Sequence, residues 1–339
     1  MRIAVDAMGG DFAPQEIIPG CVKAVRSYPS VDKVILVGDE STIRTQLQAA
    51  DALNEPRLEI FHASQNIEMG EPPAMALRRK KDSSITRAIE LVKHGEADAV
   101  FSAGSTGAMV AASTLKLRTL KGVDRPTIAT VLPTQKHPVV LLDAGANPEC
   151  TQKMLLQFAV MGDVYAREIL GIVSPRVGLL SIGGEEAKGN ELTKQTFKVL
   201  QASHLNFVGN IESQDVFAGD VDVVVCDGFT GNVVLKTGEA VAKAMKSWLK
   251  DEFTASLPRK LGALLLKPAF KAISEKTNSE TQGGAPLLGV NGIVYIGHGS
   301  SSRHAVCNAI RVVRDSIQHD INHHIIDDLA RLSKARDIL

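Results

Sequence analysis

Short apolar runs that alternate with longer amphipathic ones set the narrowest limit on how this chain can fold. Runs rich in Val, Ile and Leu occur at 2–6, 33–38, 58–62, 99–102, 127–132, 139–143, 177–182, 206–208, 222–227 and 293–297. Many are apolar throughout rather than at every second residue, the pattern of strands buried on both faces. Amphipathic stretches such as 85–94 and 151–170 lie between them and read as helices. Strand alternating with helix predicts a mostly parallel α/β architecture. The chain has 339 residues, enough for a large core. No internal repeat or low-complexity linker marks a boundary, so a single domain over 1–339, with two lobes around a cleft, is expected.

The strand ends carry most of the chemistry. Val5 gives way to Asp6-Ala7-Met8-Gly9-Gly10, and Phe101 to Ser102-Ala103-Gly104-Ser105-Thr106-Gly107. Leu142 leads to Asp143-Ala144-Gly145-Ala146-Asn147, and Ile182 to Gly183-Gly184-Glu185-Glu186. Cys226 leads to Asp227-Gly228-Phe229-Thr230-Gly231-Asn232, and Ile296 to Gly297-His298-Gly299-Ser300-Ser301-Ser302. Open α/β sheets bind ligands beyond the carboxyl ends of their strands, so these ends predict one shared cleft. Gly9 and Gly10 are read either as backbone that approaches an anion or as a tight turn. The 102–107 and 299–302 segments each precede a helical run, where free amides and hydroxyls suit phosphate; ordinary N-capping is the other reading.

Several common chemistries are missing. Ser302 stands where a dinucleotide fingerprint needs its third glycine, and Asn190 stands where a Walker loop needs lysine. Neither H-E-x-x-H nor G-x-S-x-G occurs. Lys188 sits in a glycine-rich loop and is read as a point charge for phosphate or an oxyanion, or as a surface partner of Glu185 and Glu186. Asn232 is either an amide donor to a carbonyl oxygen or the start of the helix 233–250. Cys226 is a candidate acyl-accepting nucleophile or a core thiol. His323 and His324, with Asp320, Asp327 and Asp328 nearby, read as a solvated helix face. No metal and no cofactor is assigned.

Partners are bounded by charge and hydropathy. Lys plus Arg and Asp plus Glu are both 38, so no global field draws the chain to nucleic acid. Four scattered cysteines argue for reduced thiols in a cytoplasmic setting. Asp6 and Asp11 interrupt the first apolar run, against a signal peptide, and no run approaches the ~20 apolar residues of a membrane span. Residues 254–275, TASLPRKLGALLLKPAFKAISE, place Leu257, Leu261, Leu264 and Leu265 on one helical face with Lys260, Lys267 and Lys271 along its edge. Pro258, Gly262 and Pro268 divide this segment into two short helices. A membrane interface suits it; packing on the core or on a second subunit is the alternative. Arg78, Arg79, Lys80 and Lys81 form either a solvated face or a dock for an acidic protein.

Eight stretches in this order resemble the bacterial PlsX family, phosphate acyltransferases of phospholipid synthesis. They are AVDAMGGDFAP near the start, LRRKKDSSI, SAGSTGA, LLDAGANPE, KGNELTKQTF, CDGFTGNVVLK, GGAPLLGVNG and HGSSSRHAVCNAI, so the likeness runs nearly end to end. The resemblance implies transfer of a long-chain acyl group from acyl-acyl-carrier protein to inorganic phosphate. It implies an α/β/α sandwich with a mostly parallel sheet, related to phosphotransacetylases and isocitrate/isopropylmalate dehydrogenases. It further implies a cytoplasmic homodimer at the membrane periphery, delivering acyl phosphate to a membrane glycerol-3-phosphate acyltransferase. On this reading Lys188 and Asn232 act on the acyl carbonyl. Phosphate is held by Gly9, Gly10 and the loop Ser102, Gly104, Ser105, Thr106 and Gly107, with Ser300 added, while Asp6, Asn190 and His298 line the cleft. The rivals are a phosphotransacetylase using coenzyme A thioesters and a non-catalytic membrane-binding scaffold.

Overall fold

The computed structural model describes residues 1–277 and 283–336. The strands are β1 (Arg2–Asp6), β2 (Lys33–Gly38), β3 (Leu58–His62), β4 (Ala99–Ser102), β5 (Thr127–Leu132), β6 (Val139–Leu142), β7 (Val177–Leu180), β8 (Phe207–Ile211), β9 (Val223–Val225), β10 (Ala285–Leu288) and β11 (Ile293–Ile296). The helices are α1 (Ile17–Ser27), α2 (Glu40–Ala49), α3 (Pro73–Arg79), α4 (Ser84–Lys93), α5 (Thr106–Lys116), α6 (Gln152–Glu168), α7 (Glu191–Gln201), α8 (Asp215–Ala218), α9 (Gly228–Thr254), α10 (Leu257–Leu265), α11 (Lys267–Thr277), α12 (Arg303–Gln318) and α13 (Ile321–Arg336).

All the strands join one sheet in the order β3-β2-β1-β4-β11-β10-β5-β6-β9-β7-β8. The first five are mutually parallel. β10 runs antiparallel to both neighbours, β5 and β6 are antiparallel to each other, and β6, β9, β7 and β8 form a second parallel block. Side chains alternate between the sheet's faces with the period of two that strands impose. Ile3 and Val5 pack with α1 and α12, whereas Ala4 packs with α4 and α5. Val140 and Leu142 pack with α6 and α13, whereas Val139 and Leu141 face Val216 of α8 and the half-buried Leu235 of α9. The result is the expected three-layer α/β/α sandwich. Helix α6 is buried from Met154 to Ala166, and at Gly162 a Cβ would lie 2.7 Å from Val223 Cγ1. A side chain there would hold the helix off the sheet.

Eight helices begin at a Ser, Thr, Asn or Asp whose side chain accepts the amide three residues on: Asp39, Ser83, Ser105, Thr151, Asn190, Asp227, Ser256 and Ser302. Three differences from the sequence reading bear on the site, and the first is that β7 ends at Leu180, which leaves Ser181 and Ile182 in the loop that carries Lys188. The strand β10 was not expected, because Pro286 and a flanking Gly-Gly read as loop. Helix α9 starts at Gly228, capped by Asp227, so Asn232 lies inside its second turn and does not start it. The segment after it forms two short helices, α10 and α11, as Pro258 and Pro268 require.

Candidate active site

Three adjacent strands of the first block, β1, β4 and β11, end in one knot of loops. The Asp6 carboxylate, fully buried, accepts from Ser102 Oγ at 2.7 Å and from the Met8 amide at 3.2 Å. Ser102 Oγ in turn accepts the Gly104 amide at 3.0 Å, so the carboxylate sets the path of the 102–107 loop. Burial pushes the Asp6 carboxyl above the usual range, and its hydrogen bonds pull it partly back. Gly9 is glycine because a Cβ would collide with that carboxylate and sit 2.9 Å from the Gly104 nitrogen. Gly10, at φ +120°, is pressed against Gly299 O and Ala103. The space freed by the two glycines is filled by the chain itself.

Of the two Ser- and Gly-rich helix starts, one is occupied and one is open. At α12 the Glu16 carboxylate accepts from the Arg303 amide at 2.7 Å and from its guanidinium at 3.0 and 2.5 Å, and Ser302 takes the Ala305 amide. At α5 Ser105 caps the Ala108 amide, and the Thr106 and Gly107 amides have no acceptor among the described residues. Both residues are exposed. Unpaired amides at a helix start favour a bound anion through hydrogen bonding and the helix dipole. Beside them, Ser300 donates its amide to His298 Nδ1 at 3.2 Å. A backbone amide can only donate, so Nδ1 accepts in this contact and Nε2 is left as the ring's donor.

In the second block β6, β9 and β7 are neighbours, and their loops form a second group. Asp143, fully buried, accepts from the amides of Ile128, Gly145, Ala146 and Asn147 and from Asn147 Nδ2 at 2.9 Å. Burial raises its carboxyl above the usual range against these bonds. The first turn of α9 lies flush on this loop. A Cβ at Gly228 would sit 2.7 Å from Asn147 O, and one at Gly231 would overlap the Asp143 carbonyl oxygen. Asn232 follows in the second turn, exposed, its side-chain amide without a hydrogen bond among the described residues and its Cβ against Gly145. Lys188 is likewise exposed and forms no ion pair with Glu185 or Glu186. The two groups of loops share one core: Ala144, Ala146 and Leu235 pack in the same cluster as Ala108 and Met109 of α5.

A family model described as fatty acid synthesis protein matches residues 1–324. The phosphate acyltransferase of Pelotomaculum thermopropionicum is 53% identical over 319 residues, covering 94% of this chain and 92% of the relative. That of Desulfitobacterium hafniense is 51% identical over 338 residues, covering 99% and 100%. The chain belongs to the phosphate acyltransferase family. It is an acyltransferase. Among solved structures, a phosphotransacetylase from Streptococcus pyogenes (TM-score 0.59, 18% identity, 94% of each chain) and the EutD phosphotransacetylase from Staphylococcus aureus (0.58, 17%, 94% of each) share the fold.

Against this phosphate acyltransferase frame the sequence-predicted residues separate clearly. The Ser102 and Ser105 hydroxyls are committed to the chain, Ser300 Oγ lies 2.8 Å from His298, and Asn190 Oδ1 caps α7 through the Thr193 amide. Gly104 and Gly107 are packing positions: a Cβ would meet Ser102 Oγ at 3.1 Å and Pro73 Cγ at 2.7 Å. Thr106, Lys188, Asn232 and His298 remain exposed. Cys226 is buried and its thiol is pushed far up by burial, so the core reading holds. His323 pairs with Asp320 at 2.7 Å, and no group of three metal-ligating side chains occurs among the described residues. Sequence reasoning placed Asp143 and Asn147 at a strand end of the cleft without a role and missed Glu16; the D-A-G-A-N spacing of a side-chain-bonded turn could have revealed what the first two do. A cavity of about 290 Å³ lies elsewhere, at the amino ends of β4 and β11 beside Asp98 and Asn291.

The Arg303 pair holds the Glu16 carboxyl down, from 4.5 to about 2. A carboxyl depressed on folding stabilises the protein above its ordinary value and loses that contribution as pH falls through the folded one. Glu16→Gln should therefore lower the urea midpoint at neutral pH, and the deficit should vanish as pH falls to about 2. Parallel unfolding curves for the two proteins across that range check it.

Proposed function

We propose that this acyltransferase moves a long-chain acyl group from the thioester of acyl-carrier protein to inorganic phosphate, supplying acyl phosphate for phospholipid synthesis. The observation that carries the reading is the open start of α5, two unpaired amides at a strand end in a chain of the phosphate acyltransferase family. Phosphate would sit there, against Thr106, with His298 Nε2–H as a further donor. A phosphate oxygen then attacks the thioester carbon, the new C–O bond forms, the C–S bond breaks and the carrier's sulfur leaves as thiolate. Phosphate is itself the nucleophile, so the chain's work is positioning and stabilisation of the oxyanion. Unpaired Lys188 and Asn232 are the donors we assign to that oxyanion.

Two surfaces suit the carrier and the membrane. Arg78, Arg79 and Lys81 are exposed on or just after α3, whose Pro73 touches Gly107 at the start of α5, while Lys80 pairs with Glu71. This basic patch next to the site fits an acidic carrier. On α10, Leu257, Leu261, Leu264 and Leu265 are all more than half exposed, and Lys260 and Lys267 stand beside them. No residue of α10 is buried, so its apolar face is not packed on this chain's core. Such a face with basic flanks suits an anionic bilayer surface. Among the described residues, no helix is long and apolar enough to cross a membrane.

Incubation with palmitoyl-carrier protein and phosphate should release free carrier thiol only when phosphate is present, with acyl phosphate trapped in equal amount. Equal rates with palmitoyl-coenzyme A would move the donor assignment to the small thioester, and no product from folded protein would sink the reading. Lys188→Ala and Asn232→Ala should each slow turnover ~10²–10³-fold at unchanged thermal midpoint. Leu261→Asp with Leu265→Asp should abolish flotation with anionic vesicles without loss of solution turnover. Undiminished flotation would reassign α10 to subunit packing.

A further inference from the structure

The segment 182–188 leaves the end of β7 and returns to α7 almost without support. Ile182, Gly184, Glu185, Glu186, Ala187 and Lys188 are all exposed. Among the described residues, one hydrogen bond ties this segment to the rest of the molecule. Asn210, on the edge strand β8, donates from Nδ2 to the Glu185 carbonyl at 2.9 Å. The same carbonyl accepts the Lys188 amide at 3.0 Å. One oxygen thus joins the strand-borne amide of Asn210 to the backbone of the lysine. Asn210 is 9% exposed, and its Oδ1 is buried with no partner.

Among the described residues, the Asn210 amide is the one side-chain donor that reaches this segment, and it is aimed at the carbonyl that fixes the turn. We propose that Asn210 is a positioning residue for acyl transfer, acting through the Glu185 carbonyl on Lys188; this rests on the role assigned to Lys188 above. A lysine is a point charge on a long flexible stem, so its donor reaches an oxyanion reproducibly only if the backbone under it is held. The edge strand β8, in which Asn210 pairs in parallel with Leu179 of β7, supplies that hold.

The test uses the full chain with palmitoyl-carrier protein and phosphate. Asn210→Leu keeps the size, removes the donor and also removes the unpartnered oxygen. It should lower kcat between about tenfold and 10²-fold, with KM for phosphate and the thermal midpoint close to wild type. Tryptic cleavage after Lys188 should become faster in the same variant. In a Lys188→Ala background the substitution should change turnover by less than about threefold, because the two act as one unit. Asn210→Asp, which cannot donate to the carbonyl, should follow Asn210→Leu; if it misfolds, Asn210→Leu alone carries the result. Wild-type turnover in Asn210→Leu, or an equal loss in both backgrounds, overturns the proposal while leaving Lys188 in place. Wild-type turnover in Lys188→Ala alone removes both, which tells the two failures apart.

Discussion

Two carboxyl groups buried at strand ends organise the loops that carry Thr106 and Asn232. Asp6 and Asp143 are each fully shielded, a costly state for a group that prefers to be charged in water. Each meets the cost by gathering donors from the loop that follows or adjoins it. Asp6 draws in Ser102 and, through it, Gly104; Asp143 draws in four backbone amides and the Asn147 side chain. The glycines of the motifs follow from this. Gly9, Gly228 and Gly231 are small because loop and helix must close over these buried centres. Removal of either carboxyl would leave a set of buried amides without acceptors, and the exposed donors would lose their common frame.

The sheet supplies the second constraint. β10 and the β5–β6 pair reverse strand direction in its middle, so the carboxyl ends of the two parallel blocks leave from opposite edges. In a flat sheet their loops would never meet. Adjacent strands twist by roughly 20–25°, and four steps separate β4 from β6, so the blocks are rotated by roughly 80–100°. The rotation is what allows Ala144 and Ala146 to join the core around α5. A contact surface between two loop groups is therefore a property of the whole sheet, although each group is local.

Much of this was legible in the chain before any coordinates. Runs such as Val34-Ile35-Leu36-Val37 can only be doubly buried strands, and the Ser, Thr, Asn and Asp caps announce helix starts. Strand β10 was hidden because Pro286 and two glycines mimic a loop, and its antiparallel partners lie more than 100 residues away on one side. The start of α9 was hidden for a related reason: Gly228 and Gly231 weaken helix propensity, and only the neighbouring 143–147 loop explains them. At the site, residue types named the loops at the strand ends, but not which polar groups stay free. Ser102, Ser105 and Asn190 look like ligands in one dimension and are capping or bridging groups in three. Glu16 at the start of α12 was invisible, since its partner Arg303 is 287 residues away.

Helix α9 has an unusual shape for its length. It runs for 27 residues, about 40 Å at 1.5 Å per residue, and only Gly228 and Gly231, both in its first turn, are buried. Its next two turns are partly packed, with Val234 and Leu235 against the core and Gly238 beside Phe217 of α8, and beyond them it is an exposed strut. Val241, Met245, Trp248 and Leu249 fall on one exposed stripe, and α10 packs back against the strut. Each residue of a helix advances about 100°, so a one-residue insertion near Val241 would swing this stripe by more than a right angle. An insertion of seven residues would nearly restore the direction while lengthening the reach by about 10 Å. Whatever the stripe meets is thus held in azimuth, as on a crankshaft, by the turns that seat the helix on the Asp143 loop and against α8.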